Sequence, residues 1–128
     1  MQERSPTDAD QLHPGLAEAL ETRYGRLLPG IGRPLVDWLF ADHYARPGLD
    51  LRTRKIVSVA ALTALGAQTR PQLLLNIAEA RRVGVSREEI AEAIWQIGIY
   101  AGLPAAINGL NAALEAFEDE GSSPHPNS

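Results

Sequence analysis

The sequence predicts an all-α fold of about six helices, and three observations predict it. No stretch alternates apolar and polar residues with the period of two that a half-buried strand requires. Apolar residues recur instead at three- and four-residue spacing through most of the chain. Helix-breaking signals separate these runs: Pro29-Gly30, Arg46-Pro47-Gly48, Gly66, Gly84 and Gly102-Leu103-Pro104. A chain of 128 residues is expected to form one domain. At that size it buries roughly two-thirds of its unfolded surface, enough for a core without staples.

Residues 1–13 are polar and aperiodic and are expected to form a disordered tail. The helical domain is expected over residues 14–118, with a second disordered tail over 119–128. Pro14 suits the first position of a helix carrying Leu16, Leu20, Tyr24 and Leu27 on one face. The second helix runs from Gly32 to Tyr44, with Leu35, Trp38 and Leu39 on one face and Val36, Phe40 and His43 beside them. The third, Asp50 to Gly66, has Asp50 placed as N-cap and Gly66 as the terminating glycine. Between Ile56 and Leu65 only Ser58 and Thr63 are polar, which predicts burial on most sides. A run of ten residues is too short to cross a bilayer.

The fourth helix, Pro71 to Val83, turns Leu73, Leu74, Ile77 and Ala80 inward. The fifth opens with the clearest local signal, an S-x-x-E capping box of Ser86 and Glu89 with Val85 and Ile90 as a hydrophobic staple. It is predicted to bury Ile90, Ala93, Ile94, Ile97 and Ala101. In the sixth helix Ile107, Leu110, Leu114 and Phe117 line up. Trp95 to Tyr100 gives the fifth helix a second apolar face. Two helices this apolar exceed what one small bundle covers, so part of their surface is expected to meet another subunit.

Composition excludes several function classes. Without cysteine there is no disulfide, thiolate metal site or cysteine nucleophile. A net charge of −4 with no basic run argues against nucleic acid as a partner. The polar N-terminus has no apolar secretory segment, so a cytoplasmic protein without membrane association is expected. His13, His43 and His125 form no ligand-spaced pair, and neither a metal nor an organic cofactor is expected. Phosphate-binding glycine loops and a G-x-S-x-G elbow are absent.

Three segments together carry a resemblance: LDLRTRK from Leu49, GVSREEI from Gly84 and YAGLPAA from Tyr100. Over Leu49 to Phe117 the chain resembles the carboxymuconolactone decarboxylase family. The resemblance implies an all-α protein assembled as a homotrimer or homohexamer around the third and fifth helices. It also implies one of two chemistries. The peroxide-reducing branch, similar to alkyl hydroperoxidase D, needs a C-x-x-C pair, which this cysteine-free chain excludes. The other branch decarboxylates γ-carboxymuconolactone in aromatic catabolism, and its members usually carry a histidine and often a glutamate where this chain has Asn76 and Lys55.

Decarboxylating such a lactone needs a donor or cation for the carboxylate, stabilisation of the dienolate that CO₂ leaves behind, and an acid to reprotonate carbon. Asn76 shares a helical face with Leu73, Ala80 and Val83 and reads as a ligand donor or as an amide bonded to a neighbouring helix. Glu92, Gln96 and Tyr100 follow at i, i+4 and i+8 as a polar seam. Tyr100 and Glu92 are candidates for proton transfer, as is His43, which also reads as simply packed beside Phe40 and Tyr44. Arg54, Gln96 and Trp95 are the substrate-binding candidates, Trp95 reading more readily as core or interface. Arg52, Arg54 and Lys55 oppose the helix dipole at the start of the third helix, a placement that calls for carboxylate partners, with Glu or Asp of a neighbouring subunit as candidates.

Two functions stay open. One is a cofactor-free enzyme acting on a carboxylated lactone or similar acid. The other is a catalytically degenerate relative that binds a ligand or serves as an oligomeric scaffold.

Overall fold

The structure, a computed structural model, describes residues 14–122. The expectations for residues 1–13 and 123–128, including His13 and His125, lie outside the described residues. The described residues are all-α, as predicted, and fall into two compact units that divide between Leu51 and Arg52.

The first unit holds α1 (Leu16–Tyr24) and α2 (Gly32–Val36), which runs on into a π-helical stretch, Asp37–Tyr44. Helix α1 starts two residues later than Pro14 suggests, because Gly15 sits in a left-handed conformation (φ 77°) that a helix cannot include. It also stops before Leu27. The amides of Leu27 and Leu28 both bond back to the carbonyl of Tyr24, at 3.0 and 2.8 Å, and the resulting turn leaves Leu27 81% exposed. Leu16, Ala17, Val36 and Phe40 form the small core. Helices α1 and α2 approach closely at Gly32, where a Cβ would lie 2.3 Å from the carbonyl oxygen of Ala17. Glu21 closes the corner by accepting the amide hydrogens of Gly30 and Gly32, each at 2.9 Å. Those two backbone donors, Gly32 first, hold its carboxyl below the usual carboxylate range.

The second unit contains α3 (Leu51–Leu65), a 3₁₀ turn (Ala67–Thr69), α4 (Arg70–Arg82), α5 (Arg87–Ala101) and α6 (Leu103–Ser122). Its core joins Val59 of α3, Leu73, Ile77 and Ala80 of α4, Ile90 and Ile94 of α5, and Ala112, Ala113 and Ala116 of α6. The small alanines of α6 let that helix lie close against α4 and α5. The capping box is present in both directions: Glu89 N donates to Ser86 Oγ at 3.0 Å, and Ser86 N donates to Glu89 Oε1 at 2.9 Å. Val85 and Ile90, the predicted staple, are both buried in the same cluster.

Two expectations change here. Helix α3 is not buried on most sides: only Lys55, Val59 and Thr63, one stripe at four-residue spacing, are fully covered, while Val57 and Leu65 stay more than half exposed. Hydropathy alone marks a surface that prefers cover without saying what supplies it. Helix α6 runs through residues 119–122, where a tail was expected. Near its end Glu120 reaches Arg81 at 3.0 Å and Arg87 at 3.2 Å, tying the last turn to α4 and α5. Among the described residues no helix is long and apolar enough to cross a membrane.

Candidate functional site

The candidate site is built on α3 and α4. Lys55 begins the buried stripe that continues through Val59 and Thr63, so its stem enters the core between apolar neighbours. Asn76 and Glu79 lie one turn apart on α4, beside the core residues Ile77 and Ala80. The Lys55 ammonium donates to Glu79 Oε1 in a short ion pair, and to Asn76 Oδ1 at 3.1 Å. The two charged side chains are 1% and 2% exposed, whereas Asn76 is half-buried. A cation and a carboxylate this dry persist only because each neutralises the other.

The orientation of the Asn76 amide follows from its surroundings. Oδ1 faces the Lys55 ammonium, and Nδ2 donates to the carbonyl oxygen of Gln72 at 2.8 Å. Turning the amide over would set NH₂ against NH₃⁺ and oxygen against oxygen, so this arrangement is strongly preferred. Nδ2 carries a second hydrogen, which meets no acceptor among the described residues. The result is an oriented N–H donor on a partly exposed surface, with a buried cation behind it.

Arg52, one turn before Lys55, forms an ion pair with Glu89. The backbone amide of Ser86 and then the Arg52 guanidinium lower the Glu89 carboxyl from 4.5 to about 2. The carboxylates that the charged start of α3 called for therefore come from α4 and α5 of the same chain.

Glu92, Trp95 and Gln96 come together on α5, where with Ile99 and Leu103 they line an open groove of about 530 Å³. Tyr100 lies on the exposed side of α5, 79% open, and does not line that groove. Asn76 does not line it either; its neighbours are Lys55 and Gln72. Arg54 is half-buried on α3, and its carbonyl accepts a hydrogen bond from Ser58 Oγ at 3.0 Å. His43, in the first unit, is exposed; its Nδ1 meets the carbonyl oxygen of Trp38, and the two rings stack edge-on at 4.7 Å.

Sequence reasoning missed Glu79. A signal was available: a lysine four residues before the buried Val59 needs a carboxylate, and Glu79 lies three residues beyond the singled-out Asn76.

A family model described as the carboxymuconolactone decarboxylase family matches residues 29–115. The chain belongs to this family. The match begins well before Leu49, where the three quoted segments start, and takes in α2. Among curated relatives, an uncharacterized 15.0 kDa protein of Paracoccus denitrificans is 34% identical over 95 residues, 74% of this chain and 71% of that one. A 4-carboxymuconolactone decarboxylase of Acinetobacter baylyi is 37% identical over 85 residues, 66% of this chain and 62% of that one. A nitrosuccinic acid decarboxylase of Metarhizium robertsii is 26% identical over 85 residues, covering 66% of this chain and 58% of that protein.

Proposed function

We propose that the protein is a cofactor-free decarboxylase of a small carboxylated lactone or a related organic acid. The observation that carries this reading is the hydrogen bond between Lys55 and Asn76. The family resemblance singles out these two positions as those of the reactive residues, and they meet in space. Two relatives named as decarboxylases support the reaction class.

In the proposed reaction, the bond between carbon and carboxylate breaks and CO₂ leaves. The electron pair passes into the conjugated carbonyl as a dienolate, and a proton is then added to carbon. The second N–H of Asn76 donates to the oxygen on which charge develops. The Lys55 ammonium holds the oxygen end of that amide and strengthens its N–H as a donor. Proton return falls to Tyr100 or Glu92, both exposed on α5, supplied by a second copy of the chain, because Asn76 shares no groove with either of them in its own chain.

We also propose that the chain self-associates as a homotrimer or homohexamer around α3 and α5, where Val57, Leu65, Trp95, Ile99 and Tyr100 are more than half exposed, with Leu103 of α6 beside Trp95 and Ile99. The second reading, a ligand-binding or scaffold protein without turnover, is favoured by the complete enclosure of Lys55.

The test is CO₂ release from a panel of carboxylated lactones and nitro- and dicarboxylic acids. Turnover by the wild type that drops about 100-fold in Asn76→Ala, with helicity and assembly unchanged, supports the enzyme. A panel on which the wild type is inert, while binding at least one of the acids, establishes the scaffold reading instead.

A further inference from the structure

We infer that Lys55 and Glu79 are a positioning pair that locks and polarises the Asn76 side-chain amide as an oxyanion-binding donor. The inference rests on the reading of Asn76 as a residue that faces substrate.

The geometry carries it in three steps. First, Asn76 is anchored at both ends, Oδ1 by the Lys55 ammonium at 3.1 Å and Nδ2 by the Gln72 carbonyl at 2.8 Å. An asparagine held only by its own helix would retain freedom about its side-chain torsions; the bond from α3 removes that freedom. Second, a cationic donor at an amide oxygen draws electron density from nitrogen, so the outward N–H becomes a stronger donor toward a developing negative charge. Third, Lys55 is itself unable to swing out. It is fully buried, and Glu79, 2% exposed and one turn further along α4, holds its ammonium in place. Glu79 therefore acts through Lys55, and Lys55 acts through Asn76, without either charged group touching the substrate.

The pair also explains how a site can dispense with a titrating histidine. The Lys55 ammonium that meets Asn76 belongs to a buried ion pair with Glu79, assembled during folding rather than at the moment of reaction. Preorganised dipoles of this kind stabilise a transition state without reorganisation. Enclosure strengthens the effect, because the field is not screened by water.

The experiment compares two paired replacements with the wild type. Lys55→Met with Glu79→Leu removes both charges together, a change that buried ion pairs tolerate without unfolding. Lys55→Gln with Glu79→Gln removes the charges but keeps a donor within reach of Asn76 Oδ1. Two readouts are taken on each: ¹⁵N relaxation of Asn76 Nδ2, which reports whether the amide is held, and kcat against KM for the best acid found.

The expected result is an amide that is rigid in the wild type, held in the Gln/Gln protein and free in the Met/Leu protein. The Met/Leu protein is expected to lose kcat to the level of Asn76→Ala, about 100-fold, with a smaller loss in Gln/Gln. Adding Asn76→Ala to the Met/Leu background should cost nothing more, because the three residues act as one unit.

An amide that stays rigid in Met/Leu overturns the inference, and so does a freed amide with unchanged kcat. If Met/Leu does not fold, a freed amide in Gln/Gln has the same consequence. Should the wild type decarboxylate nothing, the proposed reaction fails separately. The relaxation data then decide the positioning role, together with shift perturbation of Asn76 Nδ2 by a saturated carboxylated γ-lactone, which has no conjugated carbonyl and cannot lose CO₂. Displacement of that signal in the wild type and its absence in Met/Leu uphold positioning; identical behaviour in both proteins overturns it.

Discussion

Gly109 of α6 lies against Thr63 of α3 so closely that a Cβ at position 109 would fall 2.8 Å from the threonine methyl. The same Cβ would fall 2.7 Å from the Ile94 methyl on α5, so one missing side chain lets three helices meet. Glycine inside a helix normally costs about 1 kcal/mol relative to alanine. Here the intrinsic gain of Gly109→Ala is outweighed by overpacking, and the variant is expected to lose about 1–3 kcal/mol. Urea unfolding measures it. Adding Thr63→Ser, which removes one of the two obstructing methyls, should recover part of the loss.

The Lys55–Glu79 pair makes an asymmetric prediction for stability. Lys55→Met alone leaves a carboxylate in the core with its cation gone, and should cost about 3–5 kcal/mol. Replacing Glu79 by Leu in the same chain should return most of that loss, because an apolar pair restores a consistent core. Thermal unfolding of the three proteins decides the matter. A single Lys55→Met variant as stable as the double one would mean that Glu79 is not held charged by Lys55.

How much of this was legible in the sequence depended on how local the physics is. The capping box of Ser86 and Glu89 is written in four consecutive residues, and it forms as predicted. The limits of α3 were equally legible, because Asp50 and Gly66 mark its ends locally. Glu79 was not, since its partner Lys55 is 24 residues away and the pairing exists only once α3 and α4 are packed. The closeness of Gly109 to Thr63 is likewise a property of two helices crossing, not of either one. For α3 the composition overstated burial: Val57 and Leu65 are apolar like Val59, but of the three only Val59 is fully covered by its own chain.

Glu89 predicts the acid behaviour. Its folded-state pKa is lowered from 4.5 to about 2, first by the Ser86 amide and then by Arg52. Folding therefore favours the ionised form. The stability it contributes is present above pH 4.5 and is lost as the pH falls toward 2. Glu89→Gln should flatten the stability profile across that interval and leave its shape near neutrality unchanged. A denaturation series between pH 6 and pH 2 with the same slope in both proteins would remove Glu89 as a contributor.

At the end of α6, burial pushes the Glu120 carboxyl up, while Arg81 and Arg87 together outweigh it and hold the group below its ordinary range. The pairs are partly exposed, so Glu120→Ala should cost less than about 1 kcal/mol of global stability. Its local effect should be larger in kind. Amides near residues 119–122 lose the anchor to α4 and α5 and should exchange faster, while those around Ala112 and Ala113 in the core keep their protection. Hydrogen exchange resolves the two regions directly.

The apolar face of α5 and α6 predicts assembly by the same reasoning that α3 illustrates. Ile99 is 76% exposed and Leu103 57%, and together with Trp95 they line one groove rather than standing as scattered residues. A surface of this kind is stable in water when another apolar surface covers it. Ile99→Asp places a charge at its centre without disturbing the core of its own chain, because the side chain has few neighbours there. Sedimentation should show the wild type as a trimer or hexamer and the variant shifted toward monomer, with its helical signal retained. If the wild type sediments as a monomer, the exposed face has some other occupant and the groove beside Trp95 becomes the place to look for it.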